Sequence, residues 1–168
     1  MNEITEQSGT KDADSLDRFQ FEKFVPYLLN QAMSQLDNNL RYGLKSFNIS
    51  IHQWRVLFML KISGSCSIGE ISAATVMGQS TITRVADQLE NANFAVRTPL
   101  ENNNRVILLS LTEAGKDLIE KVIPVVFSIH DGSVEDFDPD EKRILFKALQ
   151  KLAANLRRLE VKQKIGEF

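Results

Sequence analysis

The sequence contains little cysteine and no long hydrophobic run. Its 168 residues include one cysteine, so an internal disulfide cannot form and a disulfide-stapled secreted scaffold is excluded. The longest apolar runs, such as 56–60 and 106–109, are far shorter than the roughly 20 residues that a membrane-spanning helix needs. The polar N-terminal residues include no apolar signal core. These absences predict a soluble protein of the cytoplasm.

Groups that carry out catalysis or bind metals are also scarce. His52 and His130 lie far apart in the sequence with Cys66 between them, and this is not the spacing of a metal site. There is no glycine-rich phosphate loop, and no nucleophile has a credible base and orienting partner. We therefore expect no metal, no cofactor, no membrane partner and no enzymatic activity. Cys66 precedes a predicted helix, but a lone cysteine there is more often an inert thiol than a redox sensor.

Positive charge is sparse as well, and its distribution matters more than its total. The chain has 20 Lys and Arg against 22 Asp and Glu, which gives a net charge of −2. Residues 50–111 carry four acidic side chains against five basic ones, namely Arg55, Lys61, Arg84, Arg97 and Arg105. The segments on either side carry more acid than base. The middle of the chain is thus the part best suited to a polyanion, although only by one charge.

A long helical pattern precedes this middle segment. Residues 1–15 have no periodicity and predict a flexible tail, whereas apolar residues recur at helical spacing over 16–43. Gly43 is expected to end this helix. The predicted organisation is a tail (1–15) and a single domain (16–168), in which a core (50–111) lies between dimerisation helices (16–45 and 112–165).

A second pair of helices follows the middle segment. Thr112 predicts the start of a helix that is bent at Pro124 and ends near Ile129, with a loop over 130–137. Asp138 then predicts the start of the final helix. Leucines recur along that helix at alternating spacings of four and three residues, a pattern that packs against another helix. Such a pattern can also cover the chain's own domain, but we favour a homodimer interface formed by Leu145, Leu149, Leu152 and Leu156.

The middle segment itself predicts three helices and a β-hairpin. Ser50 is a suitable N-cap for a helix over 51–62, and Ser67 with Glu70 forms the capping-box pattern of a helix that ends near Ala74. Helical spacing places Trp54, Leu57, Phe58 and Ile62 on one side of the first helix. It predicts a buried face on a helix over 79–91, formed by Ile82, Val85, Ala86 and Leu89. The β-prone runs 94–97 and 105–111 are joined by an asparagine-rich turn. This order is that of a winged helix-turn-helix, in a mainly α fold with a small β-hairpin wing.

The helix over 79–91 has the side chains expected of a DNA-reading helix. Its predicted exposed face is polar near its start, and such side chains bind phosphates and base edges, with arginine the commonest reader of guanine. An arginine at the hairpin tip suits a narrow minor groove. The predicted DNA-binding residues are Gln79, Ser80, Thr81, Thr83, Arg84, Asn103, Asn104 and Arg105. For Arg97 we expect a structural role beside an acidic residue. The alternative is a solvated helix face on a domain that does not bind DNA.

Several of these motifs together resemble the MarR-type bacterial transcriptional regulators. The resemblance covers about 24–156 and rests on IHQWRVL at 51–57, SIGEIS at 67–72, STITR at 80–84, Arg105, and LTEAG at 111–115. It implies a dimer held by the first and last helices. It also implies that the 80–84 segment enters the major groove and Arg105 the minor groove. Asn103 stands where the family's wing usually has an aspartate.

The resemblance also implies that a small, often aromatic, ligand controls DNA binding. Residues that could line a cavity for such a ligand are Tyr27, Met33, Trp54, Phe58 and Phe127, although a plain core is the simpler interpretation. We therefore predict a dimeric, sequence-specific DNA-binding regulator, a repressor of a roughly palindromic operator. The alternative is a winged-helix module that binds another protein and does not read DNA.

Overall fold

The computed structural model describes residues 23–101 and 103–164 and divides the chain into two compact units after Val126. The first unit contains α1 (Val25–Leu44), a short 3₁₀ helix (Lys45–Phe47), α2 (Ile51–Ser63), β1 (Ser65–Ser67), α3 (Ile68–Thr75), α4 (Gln79–Asn91), β2 (Ala95–Leu100), β3 (Asn103–Leu111) and most of α5 (Glu113–Ser133). The second contains the end of α5 and α6 (Pro139–Lys164). The predicted fold class, mainly helical with a small sheet, is confirmed. Across the described ranges no helix is long and apolar enough to cross a bilayer.

Helix α1 differs from its prediction at both ends. It begins at Val25, because Pro26 fits the first turn, where its missing N–H costs no hydrogen bond. The predicted start at 16–22 lies outside the described residues. Gly43 does not end the helix, which runs to Leu44 and continues as the 3₁₀ helix. The chain turns at Asn48, whose φ of 54° is in the left-handed region that asparagine tolerates.

Helix α2 runs through the middle of the first unit. Its start is fixed by a capping box, in which Ser50 Oγ accepts from the Gln53 N–H at 3.2 Å and Gln53 Oε1 accepts from the Ser50 N–H at 2.8 Å. The helix is buried on more than one side, with Trp54, Val56, Leu57 and Leu60 in the core. Ile62, which helical spacing places on the same side as Trp54 and Leu57, is 67% exposed in the last turn.

The sheet has three strands in the order β1-β3-β2, and both outer strands are antiparallel to β3. The sequence did not predict β1, because three residues are too few to show an alternating pattern. The hairpin connection is shorter than predicted: β2 extends to Leu100 and β3 begins at Asn103, with a register shift between Pro99 and Leu100. The asparagines therefore lie partly in the strand and not wholly in the turn.

Helix α5 starts against the end of α4. Thr112 Oγ1 accepts from the Gly115 N–H at 3.0 Å, which confirms Thr112 as the cap. Ile119 and Val122 are fully buried in the core of the first unit. The predicted loop over 130–137 begins too early, because the helix continues through Pro124 and ends at Ser133. A proline inside a helix removes one backbone hydrogen bond, and the turns on either side keep theirs.

Helix α6 begins where the sequence predicts. Asp138 Oδ1 accepts from the N–H groups of Asp140 and Glu141, each at 2.8 Å, and Glu141 Oε2 accepts from the Asp138 N–H at 2.9 Å. Pro139 occupies the first helical position, where it needs no hydrogen bond. The helix is 26 residues long, so it presents its leucines over many turns.

Candidate nucleic-acid interface

Helices α3 and α4 are joined by a tight turn that side chains hold in place. Ser72 Oγ donates to the Met77 carbonyl at 2.6 Å, and Thr75 Oγ1 donates to the Ile71 carbonyl at the same distance. Val76 ends α3 with a φ of 56°, and it is 94% exposed. Met77 is buried beside it. The turn is therefore anchored by the buried Met77 and by the Ser72 hydroxyl, while the Thr75 hydrogen bond lies within the last turn of α3.

The core fixes the rotation of α4 about its axis. The four residues predicted to be buried, Ile82, Val85, Ala86 and Leu89, are all at most 2% exposed. Their burial turns Gln79, Ser80, Thr83 and Arg84 outward, whereas Thr81 is half-buried. The helix is capped by Gly78 without a side-chain acceptor, so the first-turn N–H groups are not satisfied by a capping side chain. Such N–H groups suit a phosphate oxygen.

The exposed side chains of α4 have defined hydrogen-bonding roles. Thr83 Oγ1 donates to the Gln79 carbonyl at 2.9 Å, so its remaining lone pairs can accept from outside. Arg84 is exposed and makes no ion pair or hydrogen bond with the described part of the chain. Its guanidinium group is thus available to an external acceptor. Together these side chains form a polar surface of the kind that reads base edges.

Arg97 ties β2 to one side of α4 through acidic residues, as the sequence predicted. Its Nη1 lies 2.7 Å from both Asp87 Oδ1 and Glu90 Oε2, and its Nη2 donates to the Thr83 carbonyl at 3.4 Å. The hydrogen bond to Asp87 and the two nearby negative charges raise the pKa of Arg97. The two carboxylates neutralise its charge, and the contact makes the wing and α4 one connected surface.

The predicted wing residues lie at the start of β3. Asn103 is exposed and pairs with Leu100 across the hairpin. The backbones of Asn104 and Arg105 belong to β3, but their side chains lie outside the described residues. The contact of Arg105 with a minor groove therefore remains a prediction.

Two of the five cations in 50–111 are already paired with carboxylates. Lys61 pairs with Glu120 on α5, and Arg97 pairs as described above. This leaves Arg84 and Arg55 as the remaining cations whose side chains are described. Cys66 is 3% exposed and lies in β1 opposite Leu109, so it packs as a small apolar residue. Within 23–101 and 103–164 no three His, Cys, Asp or Glu residues are grouped so that they could hold a metal ion.

The residues predicted to line a ligand cavity are only partly brought together. The rings of Trp54 and Phe58 are 4.8 Å apart, with Trp54 in the core. Tyr27 and Met33 are exposed on α1, and Phe127 is exposed at the start of the second unit. A shared cavity of these five residues remains a prediction.

The sequence did not predict an open groove between α4 and the wing. Its volume is about 380 Å³, and it is lined by Ile68, Thr83, Asp87, Arg97, Ile107 and Leu109. Alternation along β3 places Ile107 and Leu109 on one face, which is the pattern that could have indicated it. The groove combines apolar walls with the Arg97–Asp87 ion pair.

Apolar side chains are left uncovered on two helices. On α6, Leu149 is 42% and Leu156 is 53% exposed, whereas Leu145 and Leu152 are half-buried. On α1, the exposed apolar residues include Val25, Leu28 and Met33. Each face is described within its own unit, and each resembles a helix stripe that another helix covers.

Comparison with known proteins shows which family this chain resembles. A sequence model of the MarR family matches residues 49–107, which run from the start of α2 into β3. The repressor IacR of Pseudomonas putida is 27% identical over 143 residues, which are 85% of this chain and 86% of IacR. The repressor MprA of Escherichia coli is 28% identical over 141 residues, which are 83% and 80% of the two chains. The chain is similar to MarR-family regulators over most of its length. These relatives are transcriptional regulators, so the prediction of no enzymatic activity is confirmed.

Solved MarR-type structures share the fold. A MarR family regulator from Silicibacter pomeroyi is 27% identical with a TM-score of 0.71, and the match covers 81% of this chain and 92% of that one. Two structures at 23% identity show the fold alone. The first, Bordetella bronchiseptica BpsR, whose DNA binding is regulated by 6-hydroxynicotinic acid, has a TM-score of 0.75 and coverages of 80% and 96%. The second, Escherichia coli MarR C80S complexed with operator DNA, has a TM-score of 0.72 and coverages of 80% and 98%.

Proposed function

We propose that this MarR-type regulator is a homodimeric repressor that reads a roughly palindromic operator with α4. The observation that carries this proposal is the outward face of α4, where Arg84 and Ser80 are exposed while the opposite face is locked in the core. In a two-fold dimer, two such helices bind successive major grooves about 34–36 Å apart. The unpaired guanidinium group of Arg84 suits the O6 and N7 acceptors of guanine.

The uncovered apolar faces of α1 and α6 support dimerisation. Leu149 and Leu156 are both more than 40% exposed, and burying this remaining area in a second copy is worth about 1 kcal/mol each. A symmetric pair covers both copies of each face at once. Because a palindromic operator has the same two-fold symmetry, dimerisation and operator reading belong to one proposal.

Repression and ligand control are supported by the relatives. IacR and MprA are repressors by name, and BpsR is regulated by 6-hydroxynicotinic acid. A small aromatic effector would bind either the predicted cavity, which includes Trp54 and Phe58, or the groove that contains Arg97. The groove offers apolar walls beside the Arg97–Asp87 ion pair to an aromatic ligand. Filling it by Ile107→Trp should abolish the effector response only if the effector binds there.

The proposal is tested by selecting duplexes that the purified protein binds from random DNA at physiological salt. We expect an inverted repeat. Arg84→Ala should weaken binding to this repeat about tenfold to a hundredfold while weakening random DNA less, because a base contact is worth about 1–3 kcal/mol. Lys121→Ala on α5 removes the same charge outside the helix-turn-helix and is the matched control.

Two outcomes would contradict the proposal. Equal losses on all sequences after Arg84→Ala would contradict base reading. If the folded protein enriches no duplex over a range of salt, with or without aromatic acids, then the alternative of a protein-interaction module replaces the proposal.

A further inference from the structure

One residue of α2 connects the start of that helix to the exposed face of α4. Gln53 completes the capping box of α2, where its Oε1 accepts from the Ser50 N–H at 2.8 Å. Its Nε2 donates to Gln88 Oε1 at 3.3 Å. Gln88 lies on α4 one turn after Arg84 and is exposed. The Gln53 amide is thus a bridge between the two helices.

The chemistry of the capping box determines which end of each amide faces which partner. A backbone N–H can only donate, so the Gln53 atom that meets Ser50 must be the oxygen. The other end of the Gln53 amide is therefore an NH₂ group, which needs an acceptor. Gln88 must then turn its own oxygen toward Gln53. This assignment follows from donor and acceptor complementarity alone, without any knowledge of the hydrogen positions.

The consequence is that Gln88 presents its NH₂ group away from Gln53. We infer that Gln53 is a positioning residue that holds Gln88 as a hydrogen-bond donor toward an acceptor atom of operator DNA. This inference rests on the proposed function. The acceptor is either a phosphate oxygen or an acceptor on a base edge, such as N7 or O6 of a purine.

A neutral hydrogen-bond donor suits a protein whose residues 50–111 contain few cations that are not already paired with carboxylates. A contact from Lys or Arg to phosphate releases a counterion and therefore steepens the salt dependence of binding. An amide donor makes a directed hydrogen bond without adding positive charge. Fixing the rotamer of Gln88 in advance also removes part of the entropy cost of ordering a long side chain on DNA.

The inference is tested by measuring operator affinity against salt concentration for four proteins: wild type, Gln88→Ala, Gln53→Met and the double variant. Gln88→Ala should lower operator affinity about fivefold to tenfold, as expected for one hydrogen bond to DNA, with an unchanged salt slope. Gln53→Met removes the donor to Gln88 without adding charge and should give a smaller loss. In the Gln88→Ala background it should give no further loss.

Gln53→Glu separates positioning from helix capping. Glutamate is the usual capping-box partner, so the cap of α2 and thermal stability should be retained while the donor to Gln88 is lost. Its effect on base preference should match that of Gln53→Met. Gln88→Glu keeps an acceptor toward Gln53 but has no NH₂ group, so it should bind operator no better than Gln88→Ala.

The outcomes distinguish a base acceptor from a phosphate acceptor. They also distinguish failure of this inference from failure of the proposed function on which it rests. A loss confined to one symmetric pair of base positions assigns a base acceptor, whereas a uniform loss across sequences assigns a phosphate. Additive losses for Gln53→Met and Gln88→Ala would overturn the positioning role while Arg84→Ala still weakens operator binding. If the wild type binds no duplex, both the proposed function and this inference fail.

Discussion

Val76 occupies the left-handed region of backbone space, which branched side chains rarely adopt. Its φ is 56°, and the other non-glycine residues with positive φ in the described ranges are asparagines, Asn48 and Asn93. Left-handed backbone costs about 1–2 kcal/mol for an ordinary residue, and a β-branched side chain adds to the crowding. The Val76 side chain is 94% exposed, so packing does not repay this cost.

We therefore predict that Val76→Asn stabilises the protein. Asparagine tolerates the left-handed region, and replacing an exposed valine removes little packing, so the free energy of unfolding should rise by about 1 kcal/mol. Urea denaturation measures the change. Val96→Asn is the control, because Val96 is exposed in a strand with ordinary backbone and should not gain. A loss of stability for Val76→Asn would show that the valine makes a contact worth more than the strain.

The constraint at Gly115 is steric, because there is no room for a side chain. A Cβ there would lie 1.9 Å from the carbonyl oxygen of Phe94, far inside van der Waals contact. Gly115→Ala should destabilise the fold by about 3 kcal/mol or more, since α5 must move away from the backbone that it packs on. Gly132→Ala in the same helix meets nothing within 4 Å and should be neutral or slightly stabilising. Thermal unfolding compares the two variants.

At the residue level, local spacing predicted the buried face of α4 in full. It could not indicate that Ile62 is exposed, because burial at the last turn of α2 depends on what lies across from it and not on helical period. The restriction at Gly115 also could not be read from the sequence. It arises from a contact between residues 94 and 115, and only the folded chain brings these positions together.

At the scale of elements, helix starts were predicted best because their chemistry is local. Three capping patterns, at Ser50, Ser67 and Asp138, all form as expected. The box at Ser67 also has an electrostatic consequence. Glu70 Oε2 accepts from the Ser67 N–H at 2.7 Å and from its hydroxyl at 2.8 Å, and these bonds lower the pKa of Glu70 below its ordinary value of 4.5.

The lowered pKa of Glu70 predicts a pH-dependent contribution to stability. The stabilisation is fully present above the unfolded pKa and is lost as the pH falls from about 4.5 through the folded value. Glu70→Gln keeps a capping side chain but removes the charge. The wild type should therefore be more stable than Glu70→Gln at neutral pH, and the difference should shrink as the pH falls below 4.5. A difference that stays constant with pH would contradict the role of the charge.

Helix ends were predicted less well than helix starts. Gly43 and Pro124 both suggest a break, yet α1 and α5 continue through them. A helix tolerates one weak residue when packing on either side compensates, and that packing is tertiary. Strand β1 exists because β3 offers an edge for it to pair with. Its three residues carry no pattern of their own.

At the scale of the whole molecule, the uncovered leucines of α6 should make assembly measurable. Leu149→Glu together with Leu156→Glu places two charges on the apolar stripe and should convert a dimer into a monomer at micromolar concentration, with operator binding lost in parallel. Sedimentation equilibrium gives the mass. The control is Lys147→Glu with Lys151→Glu, at exposed polar positions of the same helix, which should leave the mass unchanged. An unchanged mass for the leucine variant would place the dimer interface elsewhere.

The composition of residues 50–111 alone indicated only weakly that the partner is a polyanion such as DNA. The prediction of a winged helix-turn-helix rested on the order of three helices and a hairpin, because that order is specific while each motif is common. The two-unit division after Val126 and the groove beside Arg97 depend on tertiary packing, so composition and period did not predict them.

The neutralisation of Lys61 and Arg97 by neighbouring carboxylates affects how such a regulator would search a chromosome. Random DNA retains a protein mainly through counterion release, and two of the five cations in residues 50–111 are already paired with carboxylates. Each encounter with unrelated sequence is then brief, and long one-dimensional slides are rare. The search becomes a series of independent collisions, so a larger share of the molecules stays off the chromosome. The time needed to reoccupy a promoter then depends on how many copies the cell holds.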